Sequence, residues 1–202
     1  MSQGCKVAIL SVVHQALDNR VFYREARTLA EAGYEVTLIA IHDRDEVKGD
    51  VCIRALPRVP RSRRPLLWRA IARMAVETDA DIFHIHDPEL LMVTPWLRRK
   101  TGRPTIYDIH EANADFIAVK DYLPALLRRP LAGIFRRLEP LLAKGEIGLI
   151  FADDAIAADF VRFDGPKVTL FNYPGGDLIA AGATAIARRD RREPVVLYLG
   201  GL

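Results

Sequence analysis

Short apolar runs alternate along this chain with segments of helical periodicity, and this alternation restricts the fold more than any other feature. The predicted strands are residues 6–13, 35–41, 51–56, 81–86 and 104–110, followed by 148–153 and 167–174. The predicted helices cover about 18–33, the segment that begins at Pro65, 88–100 and about 121–144. Strands and helices in alternation are typical of a parallel sheet that is covered on both faces. We therefore predict an α/β fold with a doubly wound, Rossmann-like sheet.

Polar residues and glycine mark where two of these helices begin and end. Asp18 or Asn19 can cap the first helix, and Gly33 suits its C-terminal end. Asp87 followed by Pro88 is the usual pair of a capping residue and a first helical residue. The simplest interpretation of Asp87 is therefore a helix cap.

The last part of the chain has a different character. Residues 182–193 are polar and charged, which is typical of a linker, and 194–202 read as a strand that ends in two glycines. A strand followed by such glycines usually leads into a helix. We expect residues 1–192 to form one domain with its linker, and 193–202 to be the first strand of a second domain.

Positive charge is concentrated in one stretch. The chain has 202 residues, a net charge of +3 and a sequence pI of about 9.0. No acidic residue lies between Val51 and Val76, where seven arginines occur: Arg54, Arg58, Arg61, Arg63, Arg64, Arg69 and Arg73. The remainder carries more acidic than basic side chains. This distribution favours a local anionic partner and argues against nucleic-acid binding.

The chain has few features of a secreted or membrane-spanning protein. Its two cysteines, Cys5 and Cys52, are too few for a disulfide framework. The apolar run 7–13 is shorter than the core of a signal peptide, and no run reaches the roughly 18 residues of a spanning helix. These observations predict a soluble, cytoplasmic protein.

Polar side chains follow three of the predicted strands. His14 comes after the first strand, His86 and Asp87 end the fourth, and His110 and Glu111 follow the fifth. If the strand order is 3-2-1-4-5, the carboxyl ends of strands one and four flank the point where the order reverses. Ligands of open parallel sheets bind there. We therefore expect these five side chains to lie around one binding crevice.

Among the histidines, His110 is the best candidate for chemistry. Asp108 and Glu111 flank it, and such an imidazole can orient or deprotonate a hydroxyl group. His84, inside a strand, is expected to be a core residue, and His42 is expected to lie in a surface turn.

Arg20 and Arg24 lie one turn apart near the start of the first helix. With the free N–H groups of the helix terminus they could hold an anionic group, or they could form a solvated helix face.

Several kinds of site have weak or absent signals. His84 and His86 alternate on one strand face, as metal-chelating pairs do, but the chain has no Cys/His cluster and no His-Glu-x-x-His motif. No glycine follows the first strand, which argues against a dinucleotide site, and there is no Gly-x-Ser-x-Gly motif. We predict no metal site and no bound cofactor.

Five segments together resemble a known family. VVHQALDNRVFYREARTLAEAGYEVTLIA, DIFHIHDPELL, YDIHE, LFNYP and VVLYLGG occur in this order along the whole chain. They are similar to the N-terminal domain of family 4-like glycosyltransferases with the GT-B architecture.

The resemblance implies a Rossmann-like domain that binds a sugar acceptor and faces a second domain that binds a nucleotide-sugar. The family's histidine near the reaction centre matches His110, and the tip of the fourth strand matches His86 and Asp87. With His14, Arg20 and Glu111, these are the expected substrate-binding residues. The nucleotide-sugar would be a co-substrate, without a required metal. The glutamate pair that serves the donor sugar in this family belongs to the second domain, so we expect residues 1–202 alone to be inactive.

Two other functions are compatible with these residues: a GT-B-type nucleotide-sugar epimerase, and a binding module without catalytic activity. The sequence also suggests a second partner. This partner is an anionic membrane, on which six arginines could dock: Arg58, Arg61, Arg63, Arg64, Arg69 and Arg73. Docking would be useful if the acceptor is lipid-linked and not a free glycan. It would place the protein peripherally at the inner face of the membrane.

Overall fold

A computed structural model describes residues 4–173, 179–182 and 184. Eight strands in this part of the chain form one sheet in the order β3-β4-β2-β1-β5-β6-β7-β8. The strands are β1 Lys6–Gln15, β2 Glu35–Ile41, β3 Glu46–Lys48, β4 Val51–Leu56, β5 Ile82–Ile85, β6 Thr105–Ile109, β7 Gly148–Phe151 and β8 Lys167–Thr169. All pairs are parallel except β3 with β4.

The order 3-2-1-4-5, on which the predicted crevice depends, is the order observed. The five strands predicted first along the chain are β1, β2, β4, β5 and β6, and they lie in the order β4-β2-β1-β5-β6. Strand β3 was not predicted; it is a short edge strand that pairs with β4 through a tight turn. Gly49 and Asp50 in this turn both have positive φ (52° and 62°), which a hairpin turn of this length requires.

Within residues 4–173 six α-helices accompany these strands: α1 Arg27–Glu31, α2 Pro65–Glu77, α3 Thr94–Thr101, α4 Asn113–Val119, α5 Ala125–Ala143 and α6 Asp154–Ala157. Short 3₁₀ segments occur at Arg61–Arg63, Pro88–Met92 and Ala158–Phe160. The single helix predicted over 88–100 is wrong, because a 3₁₀ segment precedes α3. Pro95 lies in the first turn of α3, where its missing N–H does no harm. Helix α4 was not predicted. Every helix in the described ranges is too short or too polar to cross a membrane.

The first helical segment is wound in an unusual way. Val21–Ala26 is π-helical and continues into α1. Asp18 caps it, since its Oδ1 accepts hydrogen bonds from the backbone N–H groups of Arg20 (2.8 Å) and Val21 (3.1 Å). The helical segment ends before Gly33, whose φ is 91°. Both predicted termini are therefore confirmed.

Apolar side chains cover both faces of the sheet, as the doubly wound prediction requires. On one face Leu10, Phe83 and Tyr107 are buried together with Leu67 and Ile71 of α2. Val7, Ile9 and Leu38 are buried on the other face, where the side chains of Val21 and Phe22 cover them. Alternate residues of β1 thus enter opposite cores, because successive strand side chains point to opposite faces.

Residue contacts divide the chain into two units, Met1–Phe171 and Asn172–Leu202, and all the strands and helices named above lie in the first. Only the beginning of the strand predicted over 167–174 is confirmed, as β8. The strand predicted at 194–202 and the domain boundary at 192/193 lie outside the described residues, and both stay predictions.

Candidate functional site

The carboxyl ends of β1, β5 and β6 open into one cavity of about 360 Å³. All five side chains that were expected around a crevice line it: His14, His86, Asp87, His110 and Glu111. His14 lies within β1, which runs two residues beyond the predicted end at residue 13. Register explains the convergence, because Leu10 pairs with Ile85 and Ile85 pairs with Tyr107, so the residues that follow these pairs emerge at the same edge of the sheet.

Asp87 supports the end of β1 and does not cap a helix. Its Oδ2 accepts hydrogen bonds from Ser11 Oγ (2.9 Å) and from the backbone N–H groups of Val12 (2.6 Å) and Val13 (3.2 Å). It makes no side-chain bond to the 3₁₀ segment that follows, so the predicted cap is wrong. The pairing of β1 with β2 shifts register after Leu10, and Asp87 supplies an acceptor to the N–H groups at this irregularity.

His14 is the more exposed imidazole of the cavity. Its Nδ1 lies 3.7 Å from Asp18 Oδ2 and its Nε2 lies 3.8 Å from Asp87 Oδ1. Burial alone would lower the pKa of His14, but the hydrogen bond to Asp18 and the negative charges of Asp87 and Asp18 raise it above the ordinary value. His14 is thus the imidazole of this cavity that is most easily protonated, and in that form it can hold an anionic or oxygen-rich ligand.

Arg20 lies behind the cavity, in a buried ionic cluster. Its Nη2 donates hydrogen bonds to both carboxylate oxygens of Asp108 (2.8 and 3.1 Å), and its Nε lies 2.8 Å from Glu25 Oε1. The π-helical winding brings Arg20 and Glu25 together, since the Glu25 N–H donates to the Arg20 carbonyl five residues earlier. Arg20 is not among the cavity-lining residues, so its predicted contact with substrate stays a prediction.

The other two members of this cluster are His84 in β5 and His86, which directly follows this strand. His84 Nε2 lies 3.5 Å from Asp108 Oδ2, and His86 Nε2 lies 3.4 Å from Glu25 Oε2. His84 is buried inside its strand, as predicted. His42, which follows β2, bonds to Glu46 of β3, apart from this cluster.

Four side chains of the cluster, Glu25, His84, His86 and Asp108, have the atom types of a metal site, with one atom of each within 4.8 Å of the others. The guanidinium of Arg20 lies against Asp108 and Glu25 and already brings a positive charge into the cluster. That the cluster holds no metal stays a prediction.

His110 connects this network to the cavity. His86 Nδ1 and His110 Nε2 are 2.7 Å apart, a short hydrogen bond between two imidazoles. Burial lowers the pKa of His110 to about 4, although the nearby carboxylate of Asp108 opposes the shift. His110 is therefore neutral at physiological pH, when it can either donate or accept a hydrogen bond at the cavity.

The opposite wall of the cavity comes from segments that the sequence analysis did not connect with it. Arg61 and Arg64, expected to face a membrane, line the cavity, and the Arg61 guanidinium stacks at 4.6 Å on the ring of Tyr122. Ile117 and Phe135 add apolar surface. These residues lie far apart in sequence, so no local motif could have indicated them.

Arg58 and Arg63 are exposed in the loop before α2. Arg69 and Arg73 are exposed on α2, where they line a separate groove of about 460 Å³ with Trp68, Met92 and Trp96.

Comparison with known proteins supports the fold. No curated protein matches the chain. Among solved structures, a sucrose-phosphate synthase from Thermosynechococcus elongatus shares 15% identity at a TM-score of 0.59, over 89% of this chain and 52% of that one. Anabaena Alr3699/HepE, solved in complex with UDP and glucose, shares 13% identity at a TM-score of 0.53, over 91% and 50%. Glycyrrhiza uralensis UGT73P12, complexed with glycyrrhetinic acid 3-O-monoglucuronide, shares 13% identity at a TM-score of 0.54, over 85% and 49%.

This chain thus spans about half the length of these structures. The likeness confirms the predicted fold class, a Rossmann-like sheet that corresponds to the N-terminal half of a GT-B architecture. A family model described as a glycosyl transferase 4-like domain matches residues 19–174. The match includes strands β2 to β8 and the cavity residues that follow β5 and β6. The chain therefore belongs to the glycosyl transferase 4-like domain family.

Proposed function

We propose that this chain is the acceptor-binding half of a glycosyltransferase that moves a sugar from a nucleotide-sugar to a glycan or lipid-linked acceptor. The observation that carries the proposal is the cavity at the carboxyl ends of β1, β5 and β6, which combines three imidazoles with an apolar wall. Such a site suits a sugar hydroxyl attached to a less polar group, because polar groups fix the hydroxyl while the apolar surface takes the rest.

In this proposal His110 orients or deprotonates the acceptor hydroxyl, which attacks the anomeric carbon of the donor. His14 and Glu111 bind the acceptor from either side, His86 holds His110, and Asp87 holds the backbone that carries His14. Arg20 contributes by keeping Asp108 and Glu25 in place. No step requires a metal ion, since the diphosphate that leaves can be stabilised by cations and helix N-termini of the donor side.

The first prediction concerns the donor. We expect residues 1–202 to bind nucleotide-sugars weakly or not at all, because the proposal assigns the donor site to another domain. Calorimetric titration with uridine and guanosine diphosphate sugars measures this, with His110→Ala as a matched variant for any binding inside the cavity. Tight, stoichiometric binding to the unaltered chain would mean that the donor site lies in this half.

Two alternative functions predict different behaviour of the full-length protein. A nucleotide-sugar epimerase would convert or hydrolyse the nucleotide-sugar when no acceptor is present. A binding module would keep its stability and its partner after His110→Ala. A glycosyltransferase should release nucleoside diphosphate only when an acceptor is added, which a coupled assay can detect.

We also propose that the arginine-rich surface docks on an anionic membrane. Five of its side chains are exposed, and four of these lie outside the cavity: Arg58, Arg63, Arg69 and Arg73. Arg69 and Arg73 lie beside the exposed Trp96, and arginine with tryptophan is the usual combination at a membrane interface.

Vesicle co-sedimentation tests this docking. Binding should require anionic lipid and fall steeply between low and physiological salt, because each arginine near the surface contributes about 1 kcal/mol at low salt. Changing the four exposed arginines outside the cavity to serine should abolish it. Arg162→Ser with Lys167→Ser, which removes exposed charge near β8, is the matched control. Equal binding to neutral vesicles, or none to either kind, would contradict the proposal and favour a soluble acceptor.

A further inference from the structure

Three side chains form a continuous polar path from the buried cluster to the cavity: Glu25, His86 and His110. The His86 ring lies in the middle and is fully buried, with Nδ1 2.7 Å from His110 Nε2 and Nε2 3.4 Å from Glu25 Oε2. Neither Glu25 Oε2 nor His86 Nε2 makes a hydrogen bond within the described residues, and each is the polar atom that faces the other at 3.4 Å. Buried polar atoms without a partner are costly, so these two atoms have one another as their natural partners.

The state of one imidazole determines the state of the next. Burial, with the nearby His84, lowers the pKa of His86 well below its ordinary value, so this ring is neutral and carries its single proton on one nitrogen. At the short contact between His86 Nδ1 and His110 Nε2, one nitrogen must donate and the other must accept. Whatever bonds to His86 Nε2 therefore decides which nitrogen of His110 carries a proton.

Glu25 faces His86 Nε2 and can therefore determine this tautomer. Burial and the neighbouring carboxylate of Asp108 raise the pKa of Glu25 to about 9, against the opposing effect of Arg20. A protonated Glu25 donates to His86 Nε2, and His86 then donates from Nδ1 to His110 Nε2. The proton of His110 consequently lies on Nδ1, a nitrogen that makes no hydrogen bond within the described part of the chain, while His110 lines the cavity.

We propose that Glu25 is a positioning residue that acts through His86 to fix the tautomer of His110, so that His110 offers the N–H of Nδ1 to a ligand in the cavity. Only the identity of that ligand, an acceptor oxygen, rests on the proposed function. The tautomer is a property of the chain itself.

Removing the proton from Glu25 exchanges donor and acceptor in both contacts of His86. The carboxylate then accepts from His86 Nε2–H, His86 Nδ1 accepts from His110 Nε2–H, and His110 Nδ1 becomes a lone pair. In that state His110 Nδ1 can take a proton from a hydroxyl. The proton on His110 Nε2 then passes to His86 Nδ1, and the proton on His86 Nε2 passes to Glu25, so protons balance. His110 is thus a donor below the pKa of Glu25 and a base above it. The other charged or titratable groups that face this path are Arg20, Asp108, His84 and His14.

Nuclear magnetic resonance of the chain with ¹⁵N-labelled histidine tests the proposal, because the ring nitrogen shifts distinguish the two tautomers. At neutral pH His86 and His110 should both carry the proton on Nδ1. Both should convert together to the Nε2–H form as the pH rises through about 9. His110→Gln assigns the signals, and His42, which bonds to Glu46 in a separate part of the sheet, is the internal reference.

Two substitutions at Glu25 separate tautomer control from a structural role. Glu25→Gln keeps a donor for His86 Nε2, so the Nδ1–H form should persist and the conversion near pH 9 should disappear. Glu25→Met fills similar space without a donor, so the Nδ1–H fraction of His110 should fall at neutral pH. Circular dichroism verifies that both variants fold.

Three results would overturn the proposal. They are an Nε2–H tautomer of His110 in the unaltered chain at neutral pH, an unchanged tautomer in folded Glu25→Met, and stoichiometric zinc bound by His84 and His86. None of them depends on transfer activity, so failure of the proposed function would leave this test intact.

Discussion

Replacing His110 by alanine in the full-length protein should lower kcat by about 10²-fold, the usual loss when a group that donates or accepts a proton is removed. Its melting temperature should change little. His110 lies at the rim of the cavity, where water can replace its hydrogen bond to His86 Nδ1. Steady-state kinetics with saturating donor, together with thermal unfolding, measure both quantities.

His84→Ala is the matched control, because this second histidine lies inside β5 and does not line the cavity. It should lower the free energy of unfolding by about 2–3 kcal/mol, since it removes a buried ring beside Asp108, with a modest effect on kcat. If the two variants exchange these phenotypes, the assignment of site and core histidines is wrong.

Arg20→Met should be the most destabilising single change, at about 3–5 kcal/mol, because it leaves a buried carboxylate without its cation. Asp108 is fully buried, and Arg20 binds both of its oxygens. Burial alone would raise the pKa of Asp108, but the contact with His84 and the other nearby imidazoles hold it below its ordinary value, so it is charged at neutral pH. Chemical denaturation measures the difference in free energy of unfolding.

Two variants define the origin of that loss. Arg27→Met removes a surface arginine of the following helix, whose ion pair with Glu31 is exposed, and should cost less than about 1 kcal/mol. Asp108→Asn combined with Arg20→Met removes the buried charge and should recover part of the lost stability. A loss equal to that of Arg27→Met would show that Arg20 does not stabilise the cluster.

Much of this cavity could be predicted from local patterns. His14, His86 and His110 each follow an apolar run, and parallel strands bring their carboxyl ends to one edge. Identifying the strands and their order was therefore enough to place these residues together. The same reasoning could not detect β3, which has only three residues and depends on pairing with β4.

The roles of individual side chains were harder to predict, because they depend on partners far along the chain. Asp87 has the sequence context of a helix cap, yet it bonds to the backbone of Val12 and Val13, more than 70 residues away. Arg61 and Arg64 resemble a solvated basic loop, but they line the cavity together with residues of α4 and the end of β5.

The sequence by itself determined seven of the eight strands in the described residues, both ends of the first helical segment and the edge at which the polar residues meet. These follow from periodicity, capping residues and the geometry of parallel sheets, which act over a few residues or apply to every fold of this class. Only the tertiary structure decided that Arg20 and Glu25 face Asp108, and that His86 joins this cluster to His110. Those contacts arise between β6, the residues that follow β5 and β6, and the π-helical segment with its preceding Arg20, where burial gives each polar atom few possible partners.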